Sequence, residues 1–64
     1  MKPHIRFSIE WGKVHCYNVA DELVAKIEFD DGSFYLYPEN DLEFSLEELK
    51  LMVNKLEELN GEIL

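Results

Sequence analysis

The 64-residue chain contains one cysteine, two prolines, three glycines and six basic residues against 14 acidic ones. Each scarcity excludes something. A lone Cys16 cannot close an intramolecular disulfide, and a free thiol suits a reducing compartment, so a cytoplasmic location is expected. The longest apolar run, Phe34 to Tyr37, is four residues, far below the roughly 20 that a helix needs to cross a bilayer. The Met-Lys-Pro-His start leads into alternating polar and apolar residues, so no secretory signal is expected. The shortage of bases leaves a net charge of −8, a field that repels phosphate and disfavours duplex DNA as a partner. A chain of this length supports one small domain, expected to span residues 1–64, which buries about 60% of its unfolded surface and has no room for a deep substrate cleft. Its 47% hydrophobic content is nevertheless that of a folded protein rather than a disordered one.

The charge is uneven. Residues 1–20 carry Lys2, Arg6 and Lys13 against Glu10, a net of +2, and the remaining residues carry a net of −10. From Glu39 to Glu48 there are five acids, Glu39, Asp41, Glu43, Glu47 and Glu48, and no base.

Alternation marks the strands. Ile5, Phe7, Ile9 and Trp11 alternate with His4, Arg6, Ser8 and Glu10, the period of a half-buried strand. Gly12-Lys13 matches the Gly-X preference of a two-residue type II′ turn. That turn predicts Trp11 opposite Val14, Glu10 opposite His15, Ile9 opposite Cys16 and Ser8 opposite Tyr17. Val19 to Lys26 holds helix-favouring residues, but Leu23, Ala25, Ile27 and Phe29 alternate into Asp31-Gly32, a strong type I′ signal, and strand is the better reading. Asp30 then faces Ser33, Phe29 faces Phe34, Glu28 faces Tyr35 and Ile27 faces Leu36. Pro38 removes a ladder donor and closes the last strand.

The helix is announced by Ser45 as N-cap, Glu48 completing a capping box, and Phe44 and Leu49 as a hydrophobic staple. Leu46, Leu49, Met52, Val53, Leu56 and Leu59 fall in a band about 140° wide, which is expected to be buried, with Leu51 outside it. Gly61 is expected to stop the helix after Asn60. The predicted fold is α+β: a four-stranded antiparallel β-meander of two hairpins with one C-terminal α-helix packed on one face, ββββα.

One helix covers one face. The other face would display His4, Arg6, Ser8, Glu10, His15, Tyr17, Val19, Val24, Lys26, Glu28, Tyr35 and Tyr37. Tyrosines among charges suit protein interfaces, where the ring supplies area and the hydroxyl stays satisfied. Tyr17, Tyr35, Tyr37, Arg6, Lys26 and Glu28 are therefore the candidate partner-binding residues of a small non-catalytic interaction module, whose partner is another protein or a second copy of itself. The alternative uses the acidity: Asp30, Asp31, Glu39, Asp41, Glu43, Glu47 and Glu48, with Glu57, Glu58 and Glu62, could imitate the phosphates of DNA and occupy a basic groove, as small acidic phage-encoded inhibitors do. Aromatic open sheets also stack single-stranded bases, but Glu10 and Glu28 oppose Arg6 and Lys26, so nucleic acid is the weaker reading. His4, Glu10, His15 and Cys16 do not converge as metal ligands, and His15 beside Glu10 reads as a cross-strand polar pair. No catalytic residue, metal or cofactor is expected.

Overall fold

Two dipeptides with glycine in second place build the two hairpins. In a computed structural model describing residues 4–39 and 43–62, Asp31 and Gly32 take φ 49° and 85°, the left-handed pair of a type I′ turn. They join β3 (Leu23–Asp30) to β4 (Ser33–Pro38). The register is the expected one, with Asp30 opposite Ser33, Phe29 opposite Phe34, Glu28 opposite Tyr35 and Ile27 opposite Leu36.

The first hairpin turns one residue earlier than its glycine suggests. Trp11 and Gly12, at φ 56° and 75°, form the turn between β1 (Arg6–Glu10) and β2 (Lys13–Tyr17). Moving the turn centre by one residue slides every cross-strand partner by two. Glu10 faces Lys13 rather than His15, Ile9 faces Val14 rather than Cys16, Ser8 faces His15 rather than Tyr17, and Trp11 faces nothing. Side-chain parity is unchanged by a slide of two, so apolar still meets apolar. The observed register also sets Glu10 across from Lys13 and Phe7 across from Cys16, with a tryptophan in a left-handed conformation.

Asn18 organises the connection to β3. Its side-chain oxygen accepts the amides of Ala20 at 3.0 Å and Glu22 at 2.9 Å, an Asx-type use of a short polar side chain. Asp21, at φ 65°, is thereby turned toward Arg6, with which it makes an ion pair. Beyond this loop the β2–β3 register shifts between Cys16 and Tyr17, so that Tyr17 faces Leu23 and Val24 is passed over. The shift corrects two expectations. Leu23, across from Tyr17, joins the open face rather than the apolar one. Val24 is buried with Cys16 and Ala25 instead of lying on the open face, and its carbonyl accepts the Glu39 amide at 2.9 Å.

The four strands form one antiparallel sheet in sequence order, followed by α1 (Leu46–Glu62). The capping box forms as expected: Ser45 Oγ accepts the Glu48 amide at 3.1 Å, and the Ser45 amide donates to Glu48 Oε1 at 2.9 Å. Gly61 does not stop the helix. It is absent from the positive-φ residues, and the helix continues to Glu62, because Asn60 holds the last turn to the sheet. Its side chain accepts the Phe34 amide at 2.8 Å and donates to the Phe34 carbonyl at 3.3 Å.

That anchor also fixes which side of the helix is buried. Met52 is enclosed, and Leu51, Leu56 and Leu59 pack on the core with Phe7, Phe34, Leu36 and Phe44. Leu51 belongs to the contact side, contrary to expectation, whereas Leu46, Leu49 and Val53 are exposed. The helix is rotated so that Lys55 lies toward β1, its Nζ 5.6 Å from the Phe7 ring centroid, with the aliphatic stem following apolar surface. The core comprises Ile5, Val14, Cys16, Val24, Ala25, Ile27 and Met52, all on or under the helix-covered face.

Candidate functional site

The face of the sheet opposite the helix carries three rows of side chains set by register. One runs Glu10, Lys13, Glu28, Tyr35; the next runs Ser8, His15, Lys26, Tyr37; the third runs Arg6, Tyr17, Leu23. Lys13 joins the first row through its Nζ, 3.6 Å from Glu28, and Lys26 reaches Glu39 at 3.5 Å. Each of the outer tyrosines thus has a charged residue directly across from it, already engaged in an ion pair. Tyr35 and Tyr37 are 45% and 44% exposed.

Tyr17 is built into the sheet more firmly. Its hydroxyl donates to Glu10 Oε2 at 2.8 Å, the Arg6 guanidinium lies 4.4 Å above its ring centroid, and the His15 ring stacks beside it at 6.4 Å. The Tyr17 hydrogen bond holds the Glu10 carboxyl below its ordinary range, and the same bond raises the Tyr17 phenol. Arg6 is raised by its hydrogen bond to Asp21. His15 sits opposite Ser8, not Glu10, and its Nδ1 has no hydrogen-bond partner among the described residues.

The six candidate partner-binding residues therefore share a face: Arg6 and Tyr17 at one side, Lys26, Glu28, Tyr35 and Tyr37 at the other. Lys13, which the expected turn would have taken, is added to them by the corrected register. The face gathers Arg6, Lys13 and Lys26 against Glu10 and Glu28, so its own charge is close to balance on a chain of net −8.

The acidic candidates are spread over separate elements. Asp30 and Asp31 stand at the β3–β4 turn, while Glu39 follows the opposite end of β4, and Glu47 and Glu48 begin the helix. Glu39 is paired with Lys26 and Glu48 with the Ser45 amide. Glu43 is exposed; Asp41 lies outside the described residues.

Sequence reasoning missed the apolar end of the covered face. Trp11 is 94% exposed at the first turn and Ile9 79% on β1. The adjacency of Trp11 to Gly12 was the available signal, since Trp-Gly can occupy both positions of a type I′ turn.

Cys16 is fully enclosed, and burial pushes its thiol up to about 11, the condition of an inert core residue. No group of three or more His, Cys, Asp or Glu side chains placed to hold a metal ion, and no pocket, is found among the described residues. No helix among them is long and apolar enough to cross a membrane. No protein-family model, curated protein or solved structure matches this chain.

Proposed function

We propose that this chain is a small cytoplasmic, non-catalytic interaction module that binds a protein partner through the open face of its sheet. The observation that carries the reading is the half-exposure of Tyr35 and Tyr37 on the face opposite α1, whose charges are nearly balanced. Tyrosine offers contact area at low entropic cost, and paired charges around it present alternating donors and acceptors to a partner. Lys26 and Glu28 are the charged contacts beside the rings; Arg6 and Tyr17 stiffen the other side of the face.

Tyr17 has intramolecular work, so the cleaner test leaves it in place. Tyr35→Ser/Tyr37→Ser on an affinity column should fail to retain a protein that the unaltered chain captures from its source cells, with circular dichroism unchanged. Equal retention contradicts the proposal. Retention that duplex DNA competes away, and that weakens steeply with salt, would instead favour occupation of a basic groove by the acidic residues.

A further inference from the structure

Asn60 reveals which way the backbone groups of every strand point. Its amide bonds to both the N–H and the C=O of Phe34, so these groups face away from β3. Outward and inward groups alternate along an antiparallel ladder. Leu36 and Pro38 therefore also face outward, and their β3 partners Ile27 and Ala25 face β2. Val14 and Cys16, opposite Ile27 and Ala25, face β3 in turn. Ile9 and Phe7, opposite Val14 and Cys16, consequently direct their N–H and C=O groups to the outer edge of β1.

The two edges of the sheet differ in what they offer. On β4, Asn60 occupies the groups of Phe34, and Pro38 has no N–H. On β1, Phe7 and Ile9 present both donors and acceptors, and no described strand lies beside them. Ile9 is also the most exposed large apolar residue in the strands, at 79%. An open, apolar edge of this kind is a template for another strand.

We infer that β1 is the interface between two copies of this chain, paired antiparallel about a two-fold axis at Ser8 to give one continuous eight-stranded sheet. Charge complementarity selects both the occupant and the register. Backbone alignment requires the outward residues of one strand to meet outward residues of the other, which permits axes at Phe7, Ser8 or Ile9. Only the axis at Ser8 sets Arg6 opposite Glu10 of the second copy and Glu10 opposite its Arg6. Axes at Phe7 or Ile9 set Arg6 or Glu10 against serine.

The same register serves the covered face. Phe7 lies opposite Ile9 of the second copy, and Trp11 is level with its Ile5, so the exposed apolar end of each chain meets the core end of the other. Existing bonds do not compete. Arg6 has five N–H donors, enough for both Asp21 and a second carboxylate, and the two oxygens of Glu10 together offer about four acceptor sites, of which the Tyr17 hydroxyl takes one. A two-fold axis perpendicular to the sheet keeps both helices on one side and both tyrosine faces on the other, so the inference does not rest on the partner-binding reading.

Sedimentation equilibrium of the full chain should read twice the monomer mass across a dilution series. Ile9→Lys should read the monomer mass with an unchanged circular dichroism spectrum, since this side chain is largely outside its own core. Arg6→Glu should dissociate the dimer by setting glutamates against glutamates, and Arg6→Glu/Glu10→Arg should restore it. Ser8→Cys should form a disulfide-linked dimer under mild oxidation, because a non-hydrogen-bonded pair on the axis brings the two Cα atoms to about 4.5 Å. Cys16 is enclosed and cannot substitute for it. Lys13→Cys, one strand inward, should not cross-link. A chain that stays monomeric, with or without a bound peptide, overturns the inference; so does a dimer that survives Ile9→Lys, a double charge exchange no better than the single one, or equal cross-linking of the two cysteine variants.

Discussion

Trp11 is held in a conformation that costs a bulky L-residue about 1–2 kcal/mol, at φ 56° and with its ring 94% exposed. Strain on an exposed aromatic is retained where the side chain has a use. In the Ile9→Lys background, which lacks the β1 interface, Trp11→Asn creates the Asn-Gly pair that type I′ turns prefer, and it should raise stability in urea unfolding by about 1 kcal/mol. The first hairpin was hard to read in the sequence because Gly12 fits the second position of one turn type and the first of the other. Local turn chemistry cannot separate the two; the pairing of Glu10 with Lys13 and of Phe7 with Cys16 does. Asp31-Gly32 has no such ambiguity, and the second hairpin is legible residue by residue.

Two titrations follow from single residues. The Cys16 thiol is raised from 9.0 to about 11 by burial, so the unfolded chain releases its proton first as pH rises. Its contribution to stability is complete below about pH 9 and declines from there toward 11. Cys16→Ala should flatten that part of the alkaline loss in pH-dependent unfolding. Glu10 has the opposite sign: its lowered carboxyl favours the folded state above the ordinary value of 4.5, and that contribution is lost as pH falls through the folded value. Tyr17→Phe removes the principal cause, and the Glu10 carboxyl carbon should then titrate at higher pH by NMR.

At the scale of elements, the last turn of α1 and the edge of β4 are one structure. Asn60→Ala should cost about 1 kcal/mol for the lost hydrogen bonds and should accelerate aggregation, because the outward groups of Phe34 become available to another strand. The capping box at Ser45 and Glu48 was legible because it is local. The buried side of the helix was not, since the apolar residues span more than the helix can hide and the Asn60 anchor and the Lys55 stem on Phe7 decide the rotation. Met52→Ala should lose about 2–5 kcal/mol, whereas Leu49→Ala, on the expected band but exposed, should stay within about 0.5 kcal/mol. Val24 was misplaced for a related reason: the shift after Cys16 breaks strict alternation, and nothing in the local sequence marks it.

At the scale of the molecule, a net charge of −8 is distributed around a face that does not share it. Arg6, Lys13 and Lys26 stand among Glu10 and Glu28 on the open face, while Asp30 and Asp31 project at one end of β4 and Glu39 and the helix start lie at the other. The tyrosine positions were legible from alternation alone, because Tyr17, Tyr35 and Tyr37 keep their parity in either register of the first hairpin. Which of them is available was not legible, since only the folded chain brings the Tyr17 hydroxyl to Glu10 and the Arg6 guanidinium over its ring. Mapping amide chemical shifts on the labelled chain, titrated with the purified protein it retains from its source cells, tests the open face most directly. The perturbed amides should cluster at Lys26, Glu28, Tyr35 and Tyr37; perturbation confined to Leu46, Leu49 and Val53, or to the acidic ends, would contradict it.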